Sequence, residues 1–168
     1  MLEIRGSSAL SAFRSERLLG DIRETVDAVE GLRAQYVHFV DVSRTLSSAE
    51  EGVLRDLLTY GSHESEPPAV ADAAFMLTVI PRIGTISPWS SKSSDIAHSC
   101  GLDAVRRIER GVAYQLVTNR SLSSDETAIV ARCLHDRMTE SFVIGAVEAE
   151  SVSPVLVFFI PRSLVLVQ

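Results

Sequence analysis

The hydrophobic positions of this chain alternate between the period of a strand and the period of a helix. Residues 34–42 and 105–117 are rich in β-branched and aromatic side chains, and each predicts a strand. One face of the second strand carries four apolar residues, Ile108, Val112, Tyr114 and Leu116. Shorter apolar runs predict two further strands near residues 2–5 and 74–80.

Helical spacing of apolar residues predicts four helices. The first covers residues 9–24, and the third covers residues 91–99 and ends before Gly101, which suits the position after a C-cap. The second and fourth helices each follow a Ser-x-x-Glu capping box, in which serine and glutamate satisfy backbone amides at the helix start. The boxes begin at Ser47 and Ser123.

An internal repeat relates the two halves of the chain. Residues 43–50 (SRTLSSAE) match residues 119–126 (NRSLSSDE) at an offset of 76, and the apolar pattern that follows them also matches. The predicted fold is therefore α+β, with two β-α-β-α halves that form one antiparallel or mixed sheet with helices on one face. The halves cover about 1–60 and 74–140, and a loop at 61–73 joins them.

The residues after the second half have a different character. The predicted domain ends near residue 147, and residues 148–168 form an apolar tail that includes VLVFFIPRSLVLVQ. This run is too short to cross a membrane as a helix and is split by Pro161. It predicts a strand or an aggregation-prone segment.

Composition and charge narrow the possible functions. The 168 residues are 46% hydrophobic and 23% charged, which is typical of a soluble globular protein. The net charge of -6 argues against nucleic-acid binding, which needs a basic face. The chain shows no signal-peptide pattern and no 18-residue apolar stretch, and two cysteines make no disulfide framework. We therefore expect a cytoplasmic protein that contacts no membrane.

The segment 81–101 (PRIGTISPWSSKSSDIAHSCG) concentrates special residues in one place. A turn is predicted at Gly84, and Ser90 is expected to cap the third helix, so that its first amides and Lys92 could meet an anion. The alternative, which the residues alone favour, is a capped helix whose preceding turn is held by a buried Trp89. The candidate loop, interface or anion contacts in this segment are Arg82, Gly84, Thr85, Ser87, Trp89, Ser90, Ser91 and Lys92.

For the other candidate residues, the sequence favours a structural role over a role in binding or catalysis. Arg106 and Arg110 share a face of a strand and could serve an interface or an anion, although pairing of these arginines with Glu109 and its neighbours is the simpler interpretation. His38 is expected to be a satisfied core or edge histidine. Cys133 falls on an apolar helix stripe and is expected in the core.

No reaction centre is recognisable. The pairs His98-x-Cys100 and Cys133-x-His135 have a spacing of two, which points the side chains apart on a helix, so no metal site is predicted. The chain has no nucleophile elbow, no dinucleotide fingerprint and no Walker A loop. No catalytic residue is assigned.

The string PRIGTISPWSSKSSDIAHSCGLDAVRRIERGVAY resembles the N-terminal domain of phosphoribosylformylglycinamidine synthase, the large single-chain purine-biosynthesis enzyme. The opening MLEIRGSSALSAFR, the strand YVHFVDV and the segment LHDRMTES are similar to it as well. The resemblance covers roughly residues 1–147. It implies a domain similar to a dimer of the PurS-type small subunit, which agrees with the internal repeat.

The resemblance also implies a role. The family enzyme uses ATP, magnesium and glutamine, and its chemistry occurs in synthetase and glutaminase domains, which are the implied partners. No cofactor is expected in the present segment, and the chain is expected to be an inactive fragment that helps to assemble the enzyme. The alternative is a stand-alone regulatory module that binds a phosphate or a nucleotide at the 81–101 segment.

Overall fold

A computed structural model of the chain describes residues 1–60 and 75–145. Within these residues, five strands and four helices alternate. In chain order they are β1 (Leu2–Ser8), α1 (Ala12–Arg23), β2 (Val29–Val42), α2 (Ser48–Leu58), β3 (Phe75–Pro81), α3 (Pro88–Ser99), β4 (Val105–Thr118), α4 (Ser124–Leu134) and β5 (Glu140–Ile144). All paired strands are antiparallel, in the order β1-β2-β4-β3-β5. The predicted α+β fold with two β-α-β-α halves is confirmed.

The 76-residue offset found in the sequence is also the offset of the secondary structure. The pairs β2 and β4, α1 and α3, and α2 and α4 each begin and end 76 residues apart. In the β2–β4 ladder, Tyr36 lies opposite Val112, which is its own equivalent in the second half. A pseudo-twofold axis therefore passes between these two residues.

The helices cover one face of the sheet with two apolar clusters. One cluster joins α1 and α4 to the sheet and includes Ile22, Val26, Leu77, Leu116 and Val130. The other joins α2 and α3 to the sheet and includes Leu54, Leu58, Ala97, Leu102 and Ile108. The predicted apolar face of β4 contributes to both clusters, because Ile108 belongs to one and Tyr114 and Leu116 belong to the other.

The start of α3 differs from the prediction. The helix begins at Pro88 rather than at residue 91, and Ser87 is its N-cap instead of Ser90. Proline fits the first helical position because its ring fixes a helical φ and its missing N–H has no helical partner there. The end was predicted correctly, since Gly101 adopts a φ of +81° directly after the C-cap.

Three other predictions need correction. β2 begins at Val29 rather than at residue 34, because pairing with β4 continues to Thr118. β5 was not predicted, since a five-residue run carries little periodicity. Cys133 is exposed and not in the core, because the buried face of α4 is set by its neighbours Val130 and Leu134.

Two predicted segments are outside the part of the chain that the structure describes. These are the loop at 61–73 and the tail at 148–168, so the proposed domain boundaries stay predictions. No helix among the described residues has both the length and the apolar character needed to cross a membrane.

Candidate functional site

The loop between β3 and α3, residues 82–87, has a defined shape. Gly84 adopts a φ of +81°, which glycine reaches without the strain that a Cβ would cause. The turn is closed by the Thr85 amide, which donates to the Arg82 carbonyl at 3.0 Å. Arg82 is tied to the segment before β5, since its amide donates to the Thr139 carbonyl at 2.9 Å. The loop is thus anchored at its first half.

A buried carboxylate anchors the second half of the loop. The Ser87 hydroxyl accepts from the Ser90 amide at 3.0 Å and donates to Glu109 at 2.7 Å. The Glu109 side chain is 2% exposed and forms a 2.8 Å ion pair with Arg107. Arg107 also donates to the Thr85 carbonyl at 3.1 Å. The N-terminus of α3 therefore already has an anion beside it, supplied by the chain itself.

The serines of α3 replace a missing strand neighbour. β3 pairs with β4 only as far as the Val79–Val112 position, so the backbone of Ile108 has no partner in β3. The buried Ser90 hydroxyl donates to the Ile108 carbonyl at 2.6 Å, and the Ser94 hydroxyl accepts from the Ile108 amide at 3.0 Å. These bonds satisfy both polar groups of a buried residue. Ser90 is thus a tie between helix and strand.

The other candidate positions of the first helical turn face outward. Ser91 and Lys92 are exposed. Among the residues that the structure describes, no carboxylate forms an ion pair with Lys92. Whether these two residues contact an anion or a partner stays a prediction.

Trp89 belongs to a second group of side chains, which we call the Arg110 cluster. Its members lie on the helix-covered face of the sheet near the pseudo-twofold axis, and they are Tyr36, His38, Tyr60, Trp89 and Arg110. The guanidinium carbon of Arg110 lies 4.4 Å from the centre of the Tyr36 ring and 4.7 Å from the Trp89 ring. Both distances are typical of cation–π contacts.

A chain of hydrogen bonds fixes the cluster. Arg110 donates through Nη1 to the Tyr60 oxygen at 3.2 Å, and the Tyr60 oxygen lies 2.7 Å from Nε2 of His38. The other ring nitrogen, Nδ1, lies 3.2 Å from the Ile4 carbonyl, which can only accept. Nδ1 therefore carries the proton, and Nε2 accepts from the Tyr60 hydroxyl. When His38 is neutral, every donor in this series of hydrogen bonds has an acceptor.

The electrostatics agree with a neutral imidazole. Burial lowers the pKa of His38 to about 4, the Ile4 carbonyl opposes this shift, and the Arg110 charge lowers the pKa further. Burial also raises the pKa of Tyr60, although Arg110 acts in the opposite direction. Both groups therefore stay uncharged at neutral pH, and Arg110 supplies the only positive charge of the cluster. The interpretation of His38 as a satisfied buried histidine is confirmed.

Arg106 and Arg110, which share a face of the strand, have different partners within the described residues, and their joint use by an interface or an anion stays a prediction. Arg106 forms a 3.7 Å ion pair with Asp41 and donates to the Val42 carbonyl at 3.2 Å. Arg110 is held by aromatic rings instead. The expected pairing of an arginine with Glu109 is confirmed for Arg107.

Sequence reasoning missed Tyr36 and Tyr60, but the repeat contained a signal for the cluster. The residues 76 positions from Trp89, Arg110 and His38 are Phe13, Ala34 and Tyr114, in that order. Phe13 is 74% exposed, whereas Trp89 packs into the cluster. The cluster takes Tyr36, His38 and Tyr60 from the first half and Trp89 and Arg110 from the second. The equivalent positions Phe13, Ala34 and Tyr114 do not repeat its charge.

Within residues 1–60 and 75–145, no group of three histidines, cysteines or carboxylates could hold a metal ion. The arrangement is suited to holding a loop and a guanidinium in fixed positions.

A family model described as formylglycinamide ribonucleotide amidotransferase N-terminal matches residues 35–152, which is 118 of the 168 residues. The matched range includes the β3–α3 loop, Glu109 and all members of the Arg110 cluster.

Proposed function

Because the chain belongs to the family of formylglycinamide ribonucleotide amidotransferase N-terminal domains, we propose that it is a non-catalytic assembly domain. The enzyme in question is phosphoribosylformylglycinamidine synthase, the ATP- and glutamine-dependent ligase of purine biosynthesis. Its synthetase and glutaminase domains are the proposed partners. The chain packs on these domains and helps to shape the active site that they form.

One observation carries the proposal. The β3–α3 loop is anchored at both ends by internal hydrogen bonds, yet it presents Ile86 with 63% of its surface exposed. A mobile loop would lose entropy on docking, whereas a loop already held in one shape loses little. An exposed apolar side chain on such a loop suits burial against another protein surface. The loop is therefore the proposed contact with the partner domains.

The cofactors of the enzyme do not fit the described residues. ATP with Mg²⁺ needs oxygen ligands for the metal and several donors for the phosphates. The described residues form no group of three metal ligands, and Glu109 beside the α3 N-terminus would repel a phosphate. We therefore assign ATP, Mg²⁺ and glutamine to the partner domains and derive no step through them here.

The test uses the purified chain alone. Incubated with ATP, Mg²⁺, ammonia and formylglycinamide ribonucleotide, it is expected to form no amidine. Amidine formation above the rate without protein would contradict a non-catalytic role.

Calorimetry with nucleotides and purine intermediates tests the alternative of a stand-alone nucleotide-binding module. The assembly role predicts no saturable heat. Saturable binding of a nucleotide to the chain alone would favour a regulatory module.

A further inference from the structure

Arg110 is an arginine with a fixed position and unused hydrogen-bonding capacity. A guanidinium carries five N–H donors. One of them, on Nη1, is donated to Tyr60, and two aromatic rings lie against the group. Within residues 1–60 and 75–145, no carboxylate forms an ion pair with the Arg110 side chain. Arg110 is half-buried, and within the described residues its nitrogens that lack a protein partner stay accessible to solvent and to a ligand.

The neighbours of Arg110 cannot neutralise it. The nearest carboxylate in the sequence, Glu109, is committed to Ser87 and Arg107, and it touches Arg110 only at the backbone amide. His38 and Tyr60 are neutral at physiological pH and contribute hydrogen bonds but no negative charge. The cluster therefore keeps a net positive charge in a protein whose overall charge is -6.

The fold does not require this charge. The first half forms the same strand and the same helix with Ala34 at the position of Arg110 and Phe13 at the position of Trp89. Ala34 is 3% exposed and lies in the apolar core. A small apolar residue thus satisfies the fold at the equivalent position, and the arginine needs an explanation outside the fold.

We propose that Arg110 is the docking site for a single carboxylate, to which its N–H groups donate. An aspartate or glutamate of the catalytic part of the enzyme supplies this carboxylate. The inference rests on the proposed assembly function and names the chemistry of one of its contacts. The in-plane N–H groups of arginine match the two oxygens of a carboxylate. Because the aromatic rings already hold the guanidinium before binding, less entropy is lost when the carboxylate docks.

A carboxylate fits better than a free phosphate. A phosphate carries more charge and three acceptor oxygens, and its sites normally gather several donors. The other arginines of this strand are already engaged, since Arg106 pairs with Asp41 and Arg107 pairs with Glu109. One guanidinium is therefore available, which matches one carboxylate.

The test measures binding of the full 168-residue chain to the synthetase and glutaminase domains of a family member, produced as a separate chain. We expect Arg110→Met and Arg110→Lys to raise the Kd by about tenfold or more, because a desolvated charge pair loses its planar donor in both. The matched control is Arg17→Met, which removes an exposed arginine of α1 and is expected to change the Kd by less than about threefold. Replacing the correct partner carboxylate by alanine should cause no further loss in the Arg110→Met background.

Folding is checked separately by the unfolding midpoint and by the fluorescence of Trp89. Variants that lose stability but keep the wild-type Kd would overturn the proposal and leave Arg110 a structural residue. If the wild-type chain itself does not bind, the assembly function fails, and the inference fails with it. Titration with inorganic phosphate is the remaining arm, and saturable phosphate binding that is lost in Arg110→Met would overturn the choice of a carboxylate.

Discussion

The hydroxyl of Ser87 donates a 2.7 Å hydrogen bond to the buried carboxylate of Glu109, so that a side chain of β4 stands beside the first turn of α3. The positive end of the helix favours a negative charge at this point. Arg107 contacts both Glu109 and the loop carbonyl of Thr85. Ser87, Glu109 and Arg107 therefore hold the β3–α3 loop to the sheet. The segment 81–101 is thus held in place by Arg107 and Glu109, which lie outside it.

Glu109→Gln tests this anchor. The amide keeps the shape of the side chain but loses the charge, and it leaves Arg107 without its buried partner. We expect the free energy of unfolding to fall by about 3 kcal/mol, as measured by urea denaturation. The control is Glu16→Gln on the exposed surface of α1, for which we expect a change within about 0.5 kcal/mol. Equal midpoints for the two variants would show that Glu109 does not hold the loop.

Trp89 and Phe13 form a matched pair, because they occupy equivalent positions of the two halves. Trp89 contacts His38 and Arg110, whereas Phe13 is 74% exposed. We expect Trp89→Ala to cost about 3 kcal/mol in thermal or urea unfolding, and Phe13→Ala to cost less than about 0.5 kcal/mol. Similar losses for both would mean that the cluster adds no stability beyond that of any surface aromatic residue.

His38 makes stability depend on pH in a defined window. Its pKa in the folded protein is about 4, against an ordinary value of 6.5, so the unfolded chain binds the proton more readily. Stability is therefore expected to be full above about pH 6.5 and to fall as the pH drops toward 4. The direct check is the titration of the His38 ring protons by NMR. A midpoint near 6.5 would contradict a buried, neutral imidazole.

The capping boxes predict a second, more acidic window. The Arg44 and Arg120 guanidinium groups hold the pKa values of Glu50 and Glu126 down to about 2, each helped by the serine of its box. Their contribution is present above about pH 4.5 and is lost as the pH falls toward 2. A Glu50→Gln, Glu126→Gln double variant should lose less of its unfolding midpoint over this range than the wild type. Parallel curves would show that the ion pairs of the boxes contribute nothing.

The periodic parts of the chain could be predicted from the sequence because local patterns determine them. The capping boxes at Ser47 and Ser123 and the left-handed glycine at position 101 are local signals, and the structure has all three as expected. The repeat gave the two halves and their shared sheet. The position of Ser87 ahead of Pro88 is also a local signal, but four further serines follow within the next seven residues and compete with it for the N-cap position.

The candidate site depends on contacts between residues that are distant in sequence. Tyr60 reaches Arg110 across 50 positions, and Ser87 reaches Glu109 across 22. No periodicity reveals such pairs. A residue-by-residue comparison of the two halves does, since His38, Trp89 and Arg110 have Tyr114, Phe13 and Ala34 at their equivalent positions.

The central claim is that this chain acts by docking onto catalytic domains. The most direct measurement is glutamine-dependent amidine formation by the separate synthetase and glutaminase domains of a family member, with increasing amounts of the 168-residue chain. The assembly role predicts a rate that rises and saturates, while the chain alone stays inactive. A rate that is independent of the added chain, together with no detectable binding, would contradict it.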